Sequence, residues 1–151
     1  MSEPDETIVC GFDPGKTTGY GVLVVKDGLF RPLDIGSSTD ETLQELVPII
    51  ERSHIVVIEG FWLRPAKARQ GHFDYDDMIA PQVVGALQMK ARELDKVVKV
   101  QQAAVKPVGY GYIGKKYVKG KKNMHQWDAL AHAAYYCVRD LHAMPSRMNG
   151  S

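Results

Sequence analysis

Three short stretches of this sequence carry side chains that could together hold a metal ion and act on a phosphodiester. Cys10-Gly-Phe-Asp13-Pro-Gly15 and His54-Ile-Val-Val-Ile-Glu59 each end an apolar run in a carboxylate. His125-Gln-Trp-Asp128 sets a histidine and a carboxylate three residues apart, on one face of a helix. If the strands ending in Asp13 and Glu59 are neighbours, the two carboxylates emerge side by side, and the first turn of a final helix can bring His125 and Asp128 against them. Acids grouped in this way repel one another, and one stays protonated unless a cation intervenes. Hard carboxylate oxygens favour Mg2+ or Mn2+, which keep several waters and also bind phosphate oxygens. Two such ions about 4 Å apart can activate a water and stabilise a departing 3′ oxygen in an in-line displacement. Each residue alone has a plainer reading. Asp before Pro-Gly is a common turn former whose side chain bonds its own backbone, Glu59 could be an ordinary strand-end charge, and His125 a cap-region or surface histidine.

Gly15-Lys16-Thr17 invites a different chemistry, the phosphate-binding loop of nucleotide hydrolases. That pattern needs a glycine five residues before Gly15, where Cys10 stands, and Gly11 misses the register by one. It also needs a helix directly after the lysine. Thr18-Gly19-Tyr20-Gly21 followed by Val22-Leu-Val-Val25 reads instead as a second strand. No nucleotide cofactor is expected, and Pro14-Gly15 is a tight turn between two strands.

The elements that must position these groups follow from hydrophobic periodicity. Thr7 to Phe12 is an apolar run of strand length, Gly19 to Lys26 a second, and Asp27-Gly28 a hairpin signal leading to a third strand from Leu29 to Ile35. Ser38 and Glu41 have the form of a capping box, opening a helix through Leu43, Leu46, Val47 and Ile50 that Pro48 should kink. Residues 54–59 suit a strand buried on both faces. A loop follows over 60–75, then a long helix from Tyr75 or Asp76 to about Leu94, with Pro81 and Gly85 as weak points. A last strand spans Val97 to Gln101, and Lys106 to Lys122 reads as a Gly- and Lys-rich loop. Asn123 caps a closing helix whose stripe of Trp127, Ala131, Ala134, Val138 and Leu141 packs on the sheet. The order βββαβαβα is the ribonuclease H-like arrangement, an α/β fold with a mixed five-stranded sheet flanked by helices. Residues 1–151 are expected to form one nuclease domain, with 144–151 a flexible tail.

Composition narrows the partners. No apolar stretch approaches the roughly 20 residues of a membrane span, and the acidic start Met1-Ser-Glu-Pro-Asp-Glu6 has the wrong charge for a signal peptide, so a soluble, cytoplasmic protein is expected. The two cysteines, Cys10 and Cys137, read as small core residues. Net charge is only +1, but it is unevenly spread: no acid occurs between Asp95 and Asp128, while Lys96, Lys99, Lys106, Lys115, Lys116, Lys119, Lys121 and Lys122 fill the interval. Such a face suits a polyanion, since phosphate neutralisation dominates nucleic-acid affinity, although an isolated lysine run is more often a solvated loop.

The motifs resemble those of the RuvC family of Holliday junction resolvases. Gly11-Phe-Asp13-Pro-Gly15-Lys-Thr-Thr-Gly19-Tyr-Gly21 is similar to the family's opening motif, Val57-Ile-Glu59 to its second acidic motif, and His125-Gln-Trp-Asp128-Ala-Leu-Ala-His132 to its closing helix. Gln82-Val-Val-Gly85-Ala-Leu87 and Val105-Lys106-Pro-Val-Gly109-Tyr-Gly111 resemble intervening segments, in the same order. The resemblance implies that Asp13, Glu59, His125 and Asp128 are catalytic and hold Mg2+, two ions per site, with Mn2+ able to substitute. It implies a catalytic Lys106, and Lys115 or Lys116 against the scissile strand. Phe61 or Trp62 lies where the family places an aromatic that stacks on unpaired bases; packing beneath the loop is the other reading for both. Arg64, Lys67, Arg69 and His72 make this loop more basic than the family pattern; Arg64, Lys67 and Arg69, with Lys115, Lys116, Lys119, Lys121 and Lys122, are expected DNA contacts. A compact, lysine-rich member of this kind would fit a bacteriophage enzyme.

The expected activity is metal-dependent resolution of four-way and other branched DNA by paired, symmetric nicks. A homodimer is expected, because two sites related by a two-fold axis cut opposed strands. Met78, Val83, Leu87 and Met89 make the long helix the candidate interface. An RNA-processing nuclease of the same fold and a module that grips junctions without cutting remain alternatives, as does a role for His125 on a water rather than on metal.

Overall fold

The structure, a computed structural model, describes residues 5–60, 75–118 and 124–146. Its centre is a six-stranded sheet in the order β5-β4-β1-β2-β3-β6. Strands β1 (Thr7–Asp13), β2 (Thr17–Lys26) and β3 (Leu29–Thr39) form an antiparallel meander, joined between β2 and β3 by Asp27 and Gly28, both at positive φ as the tight hairpin requires. β4 (Ile55–Glu59) joins the other edge of β1 in parallel, and β5 (Val97–Gln101) pairs parallel with β4. Val9, Cys10, Val56 and Val57 are fully buried, as a strand covered on both faces demands.

Among the described residues, four α-helices cover the two faces: α1 (Val47–Arg52), α2 (Tyr75–Glu93), α3 (Lys106–Tyr112) and α4 (His125–Arg139). On one face Cys10, Phe12, Val56 and Ile58 pack with Leu46, Ile50, Ile79, Val83, Leu87 and Ala91 of the α1 and α2 side. On the other, Val9, Leu23, Ile55 and Val57 pack with Leu130, Ala133, Ala134 and Cys137 of α4. The second face is where the strand glycines matter. Gly11, Gly19 and Gly21 lie under α4, and a methyl group on them would strike the backbone of Ala129, His125 and Leu130 respectively. Bare backbone at these points lets the helix axis settle close to the sheet, which a row of β-branched side chains would prevent.

Several elements differ from expectation. Met144–Pro145 is no part of a flexible tail: it forms β6, pairing in parallel with Leu29 and Phe30, with Met144 and Ser146 donating backbone hydrogen bonds to Gly28 and Phe30. The first helix is broken, a 3-10 turn over Asp40–Leu46 followed by α1 with Pro48 in its first turn, where a missing N–H costs nothing. Thr39 and Thr42, rather than Ser38 and Glu41, make the capping box. The Gly- and Lys-rich segment opens with α3. The buried face of α4 centres on Ala129, Leu130, Ala133, Ala134 and Cys137, with Trp127 and Val138 at its margin and Leu141 packed just past its end. Helix α2 runs unbroken through Pro81, and Val83 and Leu87 point into the core, leaving Met78 and Met89 as its exposed large apolar residues.

Candidate active site

Register decides which side chains meet. Phe12 pairs with Ile58 across β1 and β4, so Asp13 and Glu59 follow as neighbours, and Glu59 pairs with Gln101 on β5. On the opposite side Asp13 pairs with Gly19. One row across four strands therefore reads Gln101, Glu59, Asp13, Gly19. Residues two apart share a strand face, so Asp13 falls on the side of Val9 and Gly11, and Glu59 on that of Ile55 and Val57: both face α4. The missing side chain at Gly19 lets the first turn of α4 descend onto this row, where His125 Nδ1 lies 3.0 Å from Asp13 Oδ2.

Asp13, Glu59, His125, Asp128 and Lys106, separated in sequence, are thus brought together, but in an arrangement of their own. Lys106, at the start of α3, sets its Nζ 3.0 Å from Glu59 Oε1 and 3.6 Å from Asp128 Oδ2. Tyr110, one turn on and buried, donates its hydroxyl to Asp128 Oδ1 at 2.6 Å. His132, two turns after His125 on α4 and fully buried, places Nε2 2.8 Å from Glu59 Oε1 and Nδ1 2.7 Å from Gln101 Oε1. Every carboxylate in the group has a fixed partner. Among the described residues no three of the carboxylate and imidazole groups close around a common point; Glu59 and Asp128 converge instead on the Lys106 ammonium.

The charges pull the titrations apart. Burial pushes Asp13 up, the hydrogen bond from His125 opposes it, and the nearby charges of Glu59 and Asp128 add to the rise. Burial also acts to raise Glu59, but the hydrogen bond from His132 and the ammonium of Lys106 outweigh it and hold that carboxyl below its usual range. Desolvation would lower Lys106, yet the carboxylates of Glu59, Asp128 and Asp13 raise it. The hydrogen bond to Asp13 is the main reason His125 is raised. Burial and the bond to Asp128 raise Tyr110. Adjacent carboxyls held in opposite senses occur at sites that handle protons or cations and also in structural ion-pair networks.

Sequence reasoning missed Tyr110, Gln101 and His132. The signal for His132 was present: it stands four residues after Asp128 and seven after His125, on the same helical stripe. Gln101 and Tyr110 offered none, since strand pairing and helix packing alone carry them to the site. Lys115 and Lys116 are exposed just beyond α3; Lys115 Nζ rests 4.4 Å from the centroid of the Trp127 ring. Lys96 and Lys99 have bonding partners elsewhere, the Glu51 carbonyl and the Asp140 carboxylate. Phe61, Trp62, Arg64, Lys67, Arg69, His72, Lys119, Lys121, Lys122 and Asn123 lie outside the described residues.

A meander followed by two parallel strands, with a helix pressed on the row of strand-end acids, is a ribonuclease H-like fold. Among solved structures the chain is similar to T. thermophilus RuvC in complex with Holliday junction substrate, with a TM-score of 0.62, 17% identity, and coverage of 89% of this chain and 96% of that one. Weaker likenesses include the large terminase of the thermophilic bacteriophage D6E, with a TM-score of 0.41, 16% identity and coverage of 93% of this chain and 41% of that one. YeaZ from Pseudomonas aeruginosa gives 0.39 at 15% identity, over 72% of this chain and 50% of that one. No protein-family profile matches the chain, and no curated protein sequence does. The resemblance to RuvC drawn from the motifs is thus matched by a likeness of fold over most of the chain.

Proposed function

We propose that this chain is a metal-dependent endonuclease that resolves four-way and other branched DNA. One observation carries the reading: three carboxylates from three separate elements, Asp13, Glu59 and Asp128, gather at one end of a ribonuclease H-like sheet around a lysine that already sits between two of them. The donor set suits Mg2+ or Mn2+. It is oxygen-rich, and Asp13, raised first by burial and then by the charges of Glu59 and Asp128, adds a carboxyl whose repulsion with those two a dication would relieve. Asp13, Glu59 and Asp128 would hold the metal, with His125 at the margin, its Nδ1 bonded to Asp13. When bound, such ions supply charge neutralisation at the phosphate, activation of an attacking water and stabilisation of the departing 3′ oxygen.

The chain's own residues do the positioning. Tyr110 fixes Asp128 through Oδ1 and leaves Oδ2 toward Lys106. Lys106 holds Glu59 and Asp128 at a set spacing and offers a cation to a phosphate that enters beside them. Lys115 and Lys116, exposed after α3, would meet the backbone of a bound strand. A homodimer fits the exposed stripe of α2, where Met78 and Met89 flank Gln82, Gly85 and Ala86. The test is a labelled four-way junction with Mg2+, Mn2+ or EDTA, comparing the natural protein with Asp13→Asn. Paired nicks that need metal and vanish in Asp13→Asn, with junction binding kept, support the reading. Tight binding without cutting under any metal would make it a binding module, and cleavage of structured RNA in preference to junctions would redirect the substrate.

A further inference from the structure

His132 is a fully buried polar side chain that none of the steps above employs. It stands between Glu59 on β4 and Gln101 on β5, two residues paired in register, so the three side chains form one line on the face covered by α4. A carboxylate only accepts, so the proton between His132 and Glu59 belongs to Nε2 of the ring. If Nδ1 then acts as an acceptor, it needs a donor, and the atom 2.7 Å away is Gln101 Oε1. Meanwhile Gln101 Nε2 is the one buried side-chain nitrogen or oxygen among the described residues without a hydrogen-bond partner. Turning the amide over swaps its oxygen and nitrogen without changing its shape. Nε2 then donates to Nδ1, and the group left over is a carbonyl, the less costly orphan of the two.

We propose that Gln101, His132 and Glu59 form a one-way hydrogen-bond relay, amide to Nδ1 and Nε2 to Glu59 Oε1, that makes His132 the positioning residue of the candidate metal site. The consequence lies in which oxygen remains. Oε1 of Glu59 is shared by His132 at 2.8 Å and Lys106 at 3.0 Å, so Oε2 is the oxygen offered to a metal ion. A side chain pinned by a buried neighbour enters binding already oriented, which a free glutamate does not. This inference rests on the reading of Glu59 as a metal ligand, and it assigns that ligand one coordinating oxygen.

Two substitutions separate the relay from general packing. His132→Gln can set an amide N–H near the former Nε2 position and keep a donor to Glu59; His132→Asn reaches only the Nδ1 position and cannot. Mn2+-dependent rise in melting temperature reads metal affinity without any substrate. His132→Asn is expected to weaken the apparent Mn2+ affinity about 10- to 100-fold while His132→Gln stays within about threefold of the natural protein. In a Glu59→Gln background the Asn substitution should cause no further loss, because its effect runs through Glu59. The 15N shifts of His132 in the unsubstituted protein should report a proton on Nε2 and none on Nδ1, which needs no variant to fold. Equal losses in both variants, an Asn effect undiminished by Glu59→Gln, or a proton on Nδ1 would each overturn the relay. An unsubstituted protein that gives no Mn2+ shift at all would instead remove the metal reading itself.

Discussion

Lys106 Nζ sits 3.0 Å from Glu59 Oε1, and the two residues come from different sides of the site: one opens a helix, the other ends a central strand. The ammonium fills the space between Glu59 and Asp128 that a dication would contest. Replacing Lys106 with Met keeps the side-chain length and removes the charge, leaving two carboxylates without their shared partner. The metal-free protein is expected to lose about 2 kcal/mol, less than for a fully enclosed pair because all three side chains keep an edge to solvent. Mg2+ or Mn2+ should restore more stability in Lys106→Met than in the natural protein. Thermal melts in EDTA and in metal check this, and an equal metal shift in both proteins would refute the competition.

Asp13 carries the cost of burial together with repulsion from Glu59 and Asp128. Asp13→Asn removes that charge while its amide oxygen can still accept from His125. Metal-free Asp13→Asn is therefore expected to melt higher than the natural protein at neutral pH, by about 2–4 °C for each kcal/mol relieved, and to have lost metal-dependent cleavage. A lower melting temperature would mean that the charge stabilises rather than strains the fold.

The same shifts set a pH dependence for the metal-free protein. Asp13 and His125 are both raised in the folded state, so what they contribute is complete below their unfolded values and is lost as pH rises through their folded ones. Glu59 is lowered, so its contribution is present above the unfolded carboxylate value and is lost as pH falls through its folded one. Stability in EDTA should peak on the acid side of neutrality and decline toward alkaline pH. His125→Gln should flatten the alkaline limb, as denaturant titrations across pH would record. Bound metal should suppress the decline, because it favours the deprotonated acids.

Gly19 sits beneath the first turn of α4, where a methyl group would overlap the backbone of His125 and Gln126. Gly19→Ala should push that turn outward, costing about 1–3 kcal/mol and separating His125 from Asp13. Loss of metal-dependent cleavage is expected to exceed the stability loss. Gly28→Ala, in the hairpin far from the acids, is the control: strain at its positive φ should lower stability with cleavage kept in the folded fraction.

Much of this protein is legible in its sequence because the relevant signals are local. The alternation and apolar runs of β1, β2, β4 and β5, the Asp27-Gly28 turn and the long helix follow from periodicity and backbone preference, which act over a few residues. Asp13 and Glu59 stood out as carboxylates ending apolar runs, and His125 and Asp128 as a pair on one helix face; each alone had a plainer reading, and their joint placement carried the signal. What only the tertiary structure decided is the pairing. The register that puts Gln101, Glu59 and Asp13 in one row, the descent of α4 onto Gly19, and the enclosure of His132 and Tyr110 against the acids depend on contacts between residues far apart in the chain. Met144–Pro145 became a strand for the same reason, since the edge of β3 supplies hydrogen bonds that no neighbouring residue announces. Local sequence names the groups; long-range packing chooses their partners, and with them which oxygen of each acid is left to bind.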